Sequence, residues 1–264
     1  MIHTLTLGII QGLCEFLPVS SSGHLALLQY FFGFGGEDLV AFDLLLHFAT
    51  VLALIIYFRR EIIQVLLEWF GGWAGNRKPG WAYGWAILMA TVSTGIVGLP
   101  LRGVVEIMSS SPAYVGGGLI LTAIILALVP IISVNRHYSL ITIGIFVGIA
   151  QGIAVLPGVS RSGMTIAACL FMGMEVEQAF RFSFMISIPA ILGANFLEAL
   201  KMIKAGEAAF FPDGYVWAAV AAFVFGLAAL GVMRRLVISE KWPYFGVYCM
   251  LLGMLMVVSS LQLL

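Results

Sequence analysis

The chain has 264 residues, 61% of them hydrophobic and only 10% charged, against roughly 25% charged residues in soluble domains. Thirteen Lys and Arg balance thirteen Asp and Glu, so the formal net charge is zero, which argues against general attraction to nucleic acid and against a soluble globular class. Cys14, Cys169 and Cys249 lie in apolar stretches without CxxC spacing, a pattern of neither a disulfide framework nor a zinc site.

In chain order, residues 4 to 33 come first. No basic region precedes their apolar stretch and Gln11 and Glu15 interrupt it early, so the segment reads as part of the mature fold rather than a cleaved signal. It is apolar at both ends and breaks at Pro18 and Ser20-Ser21-Ser22-Gly23. Each half is shorter than the roughly 20 apolar residues that cross a bilayer, so the segment is expected to be a re-entrant helical hairpin. Full spans are expected over 39–58, 82–102 and 113–133. Residues 140 to 173 form a second broken segment, interrupted by Pro157, Gly158, Ser160, Arg161, Ser162 and Gly163, and spans follow over 178–200, 214–234 and 243–263. The expected fold is an all-α integral membrane protein, one domain over 1–264, with six transmembrane helices plus two re-entrant helical hairpins.

The two breaks resemble each other. Gln11-Gly12 and Gln151-Gly152 are 140 residues apart, as are Ser20 and Ser160, Ser22 and Ser162, Gly23 and Gly163, and Phe42 and Phe182. The prolines slip by one place. The pattern suggests a repeat, with one copy over about 1–135 and the other over about 140–264. A hairpin plus three spans is an odd number of crossings, so the second copy must be inverted. Placing Arg59, Arg60, Arg77 and Lys78 in the cytoplasm also places Arg136, Arg181, Arg234, Arg235 and Lys241 there, leaving Arg102, Lys201 and Lys204 outside. Hairpin one then enters from outside and hairpin two from the cytoplasm, meeting near the midplane in an inverted-topology repeat.

The breaks also concentrate the polar chemistry. Gln11 and Glu15, four residues apart, share a helix face and can grip a ligand or cation together, and a carboxylate within a membrane segment is a functional candidate by default. Ser20, Ser21 and Ser22 sit at a helix start, where backbone N–H groups favour anions, with Glu15 and His24 nearby as bases able to activate a hydroxyl. Serine before a helix is also an ordinary cap. The second break adds Arg161, a planar cation suited to phosphate oxygens, beside the hydroxyls of Ser160, Ser162 and Thr165. These residues suggest a phosphate cradle, although an Arg161 that only neutralises Glu15 fits as well. Asp43 and His47 share a face of the first span and either extend the cavity or play a structural role.

The run Gln11-x-x-x-Glu15 with Phe-Leu-Pro-Val-Ser-Ser-Ser-Gly-His24, and Pro157-Gly-Val-Ser-Arg-Ser-Gly-Met-Thr165, closely resembles the motifs of the undecaprenyl diphosphate phosphatases of the bacitracin-resistance type. The similarity in length, spans and hairpins covers essentially the whole chain. It implies hydrolysis of a polyprenyl diphosphate to the monophosphate and phosphate, recycling the lipid carrier of cell-wall synthesis and conferring bacitracin resistance. It also implies a multi-pass protein of the plasma membrane whose site opens to the outer face. By this resemblance Glu15 is the essential acid, Ser21 the nucleophile, His24 its neighbouring imidazole and Arg161 the diphosphate-binding residue. Gln11, Ser20, Ser22, Ser160, Ser162 and Thr165 contribute to substrate binding, and Glu15 helps hold a divalent cation, Mg²⁺ or Ca²⁺. Where the family often has glutamate, this chain has Gln11. Expected partners are the polyprenyl diphosphate, membrane lipid and, at most, a second copy in a homodimer; no nucleic acid is expected. The competing class is an inverted-repeat lipid or solute transporter or flippase, which needs binding groups but no nucleophile beside a base. Direct attack by water stands beside attack by Ser21.

Overall fold

The computed structural model describes residues 1–34, 39–109, 111–131, 138–206 and 209–261, and among them every regular element is a helix. The first two are α1 (Ile2–Phe16) and α2 (Ser21–Phe31). Pro18 separates them by forcing the preceding Leu17 into an extended conformation at φ −71°, ψ 147°. Ser20 then turns the chain at φ 66°, a left-handed conformation that costs a residue with a Cβ about 1–2 kcal/mol. The two arms return to one side: His3, near the start of α1, stacks on Phe32, just beyond α2, with ring centroids 4.3 Å apart.

The chain continues through α3 (Val40–Tyr57), α4 (Arg59–Trp73), α5 (Pro79–Gly98), α6 (Arg102–Ser109) and α7 (Pro112–Leu128). A second broken pair follows, α8 (Leu140–Ile153) and α9 (Arg161–Phe171), then α10 (Val176–Ala205), α11 (Tyr215–Ile238) and α12 (Trp242–Leu261). Gly158, at φ 83°, makes the turn before α9. Among the described residues, α3, α5, α10, α11 and α12 are long and apolar enough to cross a bilayer, and α7 joins them as a sixth candidate together with the bent-away α6. By contrast α1 has 15 residues, which at 1.5 Å per residue is about 22 Å, short of the roughly 30 Å hydrocarbon core. The chain is an all-α, multi-pass membrane protein.

Each expected span overlaps a helix, but α4 and α6 have no counterpart among the expected elements. Both carry charge and one-sided apolarity, a pattern that a search for unbroken apolar runs passes over. α4 lies against α5 through tryptophans: Trp73 meets Trp81 edge-on at 5.5 Å, and Trp69 meets Trp85 at 5.9 Å. Such an aromatic group suits the membrane–water boundary. The Glu68 carboxylate accepts the Gly80 N–H at the start of α5 (2.8 Å), tying the two helices together at the end where α5 attracts an anion.

Close backbone approach places the two broken pairs. A Cβ on Gly8 would run into the Ala218 carbonyl of α11, and one on Gly12 would lie 2.6 Å from the Ala222 carbonyl. Gly148 and Gly152 of α8, both 140 residues further along, approach α5 in the same manner, Gly148 at the Ala90 carbonyl and Gly152 at Val97. Small residues at such crossings are how apolar helices associate where the surroundings are as apolar as the side chains. α7 and α12 meet where a Cβ on either Gly116 or Gly253 would come within 2.7 Å of the other's carbonyl. The core beneath is aromatic: Phe16, Phe58, Phe180 and Phe184 pack together, with Phe16 and Phe184 edge-on at 5.6 Å. Large apolar side chains such as Phe196 and Trp217 cover the outside.

Charges gather at two ends. Glu177 Oε1 accepts from Arg181 Nη2 at 3.1 Å and Arg234 Nη2 at 2.8 Å, joining the start of α10 to the end of α11. Phe58, at the α3–α4 junction, reaches the same end through Phe180 at 6.0 Å. At the far end of α10, Lys201 meets Glu106 at 3.2 Å and Glu198 at 3.8 Å. Arg136 lies outside the described residues.

Candidate functional site

The two breaks come face to face. Ser21 is the first residue of α2 and Arg161 the first of α9, so two helix N-termini, each an electropositive end, converge on the last turn of α1. Glu15 stands there. Its Oε1 is ion-paired with Arg161 Nη2. Its Oε2 accepts from Ser21 Oγ at 2.7 Å and from Gln11 Nε2 at 3.0 Å. His47 Nε2, from α3, lies 3.8 Å from the same oxygen, while its Nδ1 is 2.8 Å from the Asp43 carbonyl. The side chain of Glu15 is only 3% exposed, Arg161 is 17% and His47 28%, so the cluster is open along one edge. A neighbouring bond from Gln29 Nε2 to Asp43 Oδ1 (2.9 Å) ties α2 to α3.

This arrangement can hold an anion and take a proton from a hydroxyl. Glu15 is at present the anion for both helix ends and the guanidinium, and its second oxygen is placed to receive the Ser21 proton.

Comparison with known sequences gives the family. The family described as Bacitracin resistance protein BacA matches residues 4–255. The chain belongs to the BacA family. A protein of Desulfosudis oleivorans named undecaprenyl-diphosphatase is 39% identical, covering 96% of each chain. One of the same name from Carboxydothermus hydrogenoformans is 37% identical over 97% of this chain and 96% of its own. A third, from Methanosphaera stadtmanae, is 31% identical over 100% and 99%.

Within this BacA chain the structure brings Gln11, Glu15, Ser21 and Arg161 together. It does not bring His24 to Ser21. His24 Nδ1 is 2.8 Å from the Ser20 carbonyl and Nε2 is 2.6 Å from the Tyr248 hydroxyl, so both ring nitrogens are engaged away from the expected nucleophile. Ser20 is buried and its Oγ accepts the Gly23 N–H at 3.3 Å. Ser22 Oγ is 3.2 Å from Ser20 Oγ, on an exposed residue.

The hydroxyls of the second break, expected to cradle phosphate, are buried and engaged in bonds that hold the loop. Ser160 Oγ caps α9 by accepting the Gly163 N–H at 3.2 Å, and Ser162 Oγ donates to the Leu17 carbonyl of the first break at 3.0 Å. Thr165 Oγ1 donates to the Arg161 carbonyl at 2.8 Å and lies 2.5 Å from Ser183 Oγ. A hydroxyl has a single proton to donate; those of Ser162 and Thr165 go to carbonyls inside the fold, and Ser160 Oγ lies 3.3 Å from Ser162 Oγ. Arg161 is the group of the second break that faces the cluster.

Three participants lie outside the motifs that define the site in the sequence. His47 enters there, with Asp43, as a residue that either extends the cavity or plays a structural role. Thr122 anchors the second break, accepting the Ser160 N–H at 2.9 Å and lying 3.2 Å from the Gly158 carbonyl. Tyr248 holds His24. The available signal for the last two is a polar side chain in the interior of each of two largely apolar spans.

Proposed function

We propose that Glu15, Ser21 and Arg161 hydrolyse undecaprenyl diphosphate to undecaprenyl phosphate and phosphate, the activity for which the relatives are named. The chain is a membrane enzyme of this BacA class, and its reaction returns the lipid carrier to cell-wall synthesis and underlies bacitracin resistance. The observation that carries the reading is the 2.7 Å bond from Ser21 Oγ to Glu15 Oε2, with Arg161 on the other carboxylate oxygen.

An arriving diphosphate displaces the Glu15–Arg161 pairing, and Arg161 and the two helix ends then face the phosphate oxygens. Ser21 Oγ attacks the terminal phosphorus while Glu15 Oε2 takes its proton. The bridging P–O bond breaks and undecaprenyl phosphate leaves with the electron pair. Glu15 gives that proton up at the open edge of the cluster and then takes one from a water that attacks the phosphorus on Ser21; the Ser21–phosphorus bond breaks, Ser21 Oγ recovers a proton from Glu15, and phosphate leaves. Positioning and charge neutralisation carry most of the rate, because phosphoryl transfer concentrates charge on oxygens rather than demanding new covalent chemistry. Arg161 is therefore more than a partner for Glu15: a buried ion pair by itself adds little stability.

Among the described residues no group of three or more His, Cys, Asp or Glu converges. The buried Gln11 Oε1, however, has no hydrogen-bond partner, and with the Glu15 carboxylate it supplies hard oxygen donors next to the reacting centre. That donor set fits Mg²⁺ or Ca²⁺, since Mg²⁺ commonly uses one or two carboxylates and completes its shell with water and substrate phosphates. Such an ion, held by Glu15 and Gln11, would neutralise phosphate charge.

The two broken pairs are re-entrant hairpins of an inverted repeat spanning about 1–135 and 140–264. This reading is supported by the shared serine caps, the matching glycine crossings and the return of α1 and α2 to one side. The end bearing Arg59, Arg181 and Arg234 is cytoplasmic, and the site opens to the outer face of the plasma membrane. A pure transporter would leave the Ser21–Glu15 bond without a role.

The primary test is phosphate release from undecaprenyl diphosphate by detergent-purified protein, with and without Mg²⁺ or Ca²⁺, for wild type and Glu15→Ala. Metal-dependent release that disappears in Glu15→Ala is expected; no release from folded wild type under either ion would overturn the reading. For orientation, Ser22→Cys should react with an impermeant maleimide added outside intact cells, and labelling only after the cytoplasmic side is opened would reverse the assignment.

A further inference from the structure

The pair α7–α12 carries one strap to each break. On the α7 side, Thr122 Oγ1 accepts the Ser160 N–H (2.9 Å) and is 3.2 Å from the Gly158 carbonyl, holding the turn ahead of Arg161. On the α12 side, Cys249 Sγ donates to the Pro18 carbonyl at 3.5 Å, and the adjacent Tyr248 reaches His24. Both loops are thus held from the helices that cross at Gly116 and Gly253.

The hydrogen-bond directions on the α12 side follow from chemistry. The Ser20 carbonyl can only accept, so His24 Nδ1 carries the proton in that 2.8 Å bond. In the neutral imidazole Nε2 is then the acceptor, and the Tyr248 hydroxyl, 2.6 Å away, is the donor. The rings also stack, 10° from parallel with centroids 5.7 Å apart. Ser20, whose carbonyl receives the imidazole, is the left-handed residue at φ 66° immediately before Ser21.

We propose that Tyr248 is a positioning residue for the hydrolysis: by donating to His24 Nε2 it fixes the imidazole on the Ser20 carbonyl and so holds the turn that aims Ser21 Oγ at Glu15. This rests on the phosphatase reading. The phenol touches neither substrate nor reacting atoms, and it acts by keeping an unfavourable backbone conformation populated. Without the hydroxyl the imidazole can change tautomer or rotate, Ser20 can relax, and Ser21 leaves the geometry that its attack requires.

The test uses purified full-length protein and undecaprenyl diphosphate. Tyr248→Phe keeps the stacked ring and removes only the hydroxyl. Its kcat should fall about tenfold, in keeping with the sensitivity of transfer reactions to small displacements of a reacting group, while KM stays within about twofold and the unfolding midpoint is unchanged. The decisive measurement is the same substitution made in a His24→Ala protein, where it should change kcat by less than about twofold, since residues acting through one another are not additive. A full tenfold loss in both backgrounds, or wild-type kcat in Tyr248→Phe, would overturn the inference while leaving the phosphatase reading intact. Wild-type protein that releases no phosphate would instead overturn the reading beneath it.

Discussion

Glu15→Gln separates the two roles open to this carboxylate. The substitution preserves shape and one acceptor oxygen but removes the negative charge and the ability to take the Ser21 proton. General-base assistance contributes about 10²–10⁴ in rate, so kcat should fall by about that factor, equivalent to roughly 2.7–5.5 kcal/mol of transition-state stabilisation at about 1.36 kcal/mol per tenfold. Binding should move the other way. In the wild type the incoming phosphate competes with Glu15 for Arg161, and a neutral amide in its place would release the guanidinium, so KM should be unchanged or lower. The variant amide cannot accept from Ser21 and Arg161 with both of its terminal atoms, so some loss of thermal stability accompanies the change. Steady-state phosphate release across a range of substrate concentrations, together with an unfolding scan in the same detergent, gives all three quantities. If Glu15 only neutralises Arg161, the unfolding midpoint falls while kcat remains within about threefold of wild type; that result would refute its role as base.

Ser21→Ala removes the hydroxyl whose bond to Glu15 is 2.7 Å, and release should fall at least about 10³-fold, the scale of losing a nucleophile; retention of a tenth of the wild-type rate would favour direct attack by water. Gly148→Leu would drive a side chain into the Ala90 carbonyl, and membrane-inserted, folded protein should be lost on size-exclusion chromatography; a monodisperse, active variant would contradict the close α5–α8 crossing. Glu68 is held below the ordinary carboxylate range by donation from Gln64 and from the Gly80 N–H. A carboxyl lowered on folding contributes stability above its unfolded value and loses it as pH falls through the folded one. The difference in unfolding midpoint between wild type and Glu68→Gln should therefore close on acidification below about pH 4, and a gap that widened there would reverse the sign.

Membrane spans were legible because apolar stretches of sufficient length have few other uses, and the helices from α3 to α12 that cross the molecule begin and end near the expected residues. α4 and α6 were not, because a helix with one wet face lacks the unbroken run. The breaks were legible in turn through Pro18 and Pro157, whose rings cannot continue a helix. Which hydroxyls face a ligand was another matter. Ser21 and Ser160 lie in similar local sequences, yet the Ser21 hydroxyl meets Glu15 while the Ser160 hydroxyl caps its own helix and the Ser160 N–H donates to Thr122.

By itself, the sequence determined that the chain lives in a bilayer and that two polar breaks interrupt it, and its resemblance to a family singled out Glu15, Ser21 and Arg161 as the groups proposed for phosphoryl transfer; composition, helix-breaking residues and motif spacing are local properties. Only the tertiary structure decided that Glu15 and Arg161 meet across a separation of 146 positions in the chain, that Ser160, Ser162 and Thr165 are spent on holding the loop, and that His24 belongs to Tyr248. A hydrogen bond is assigned by which donor reaches an acceptor first in space, and here the competitors come from α1, α7, α9 and α12, helices whose adjacency arises from glycine crossings distant in the chain.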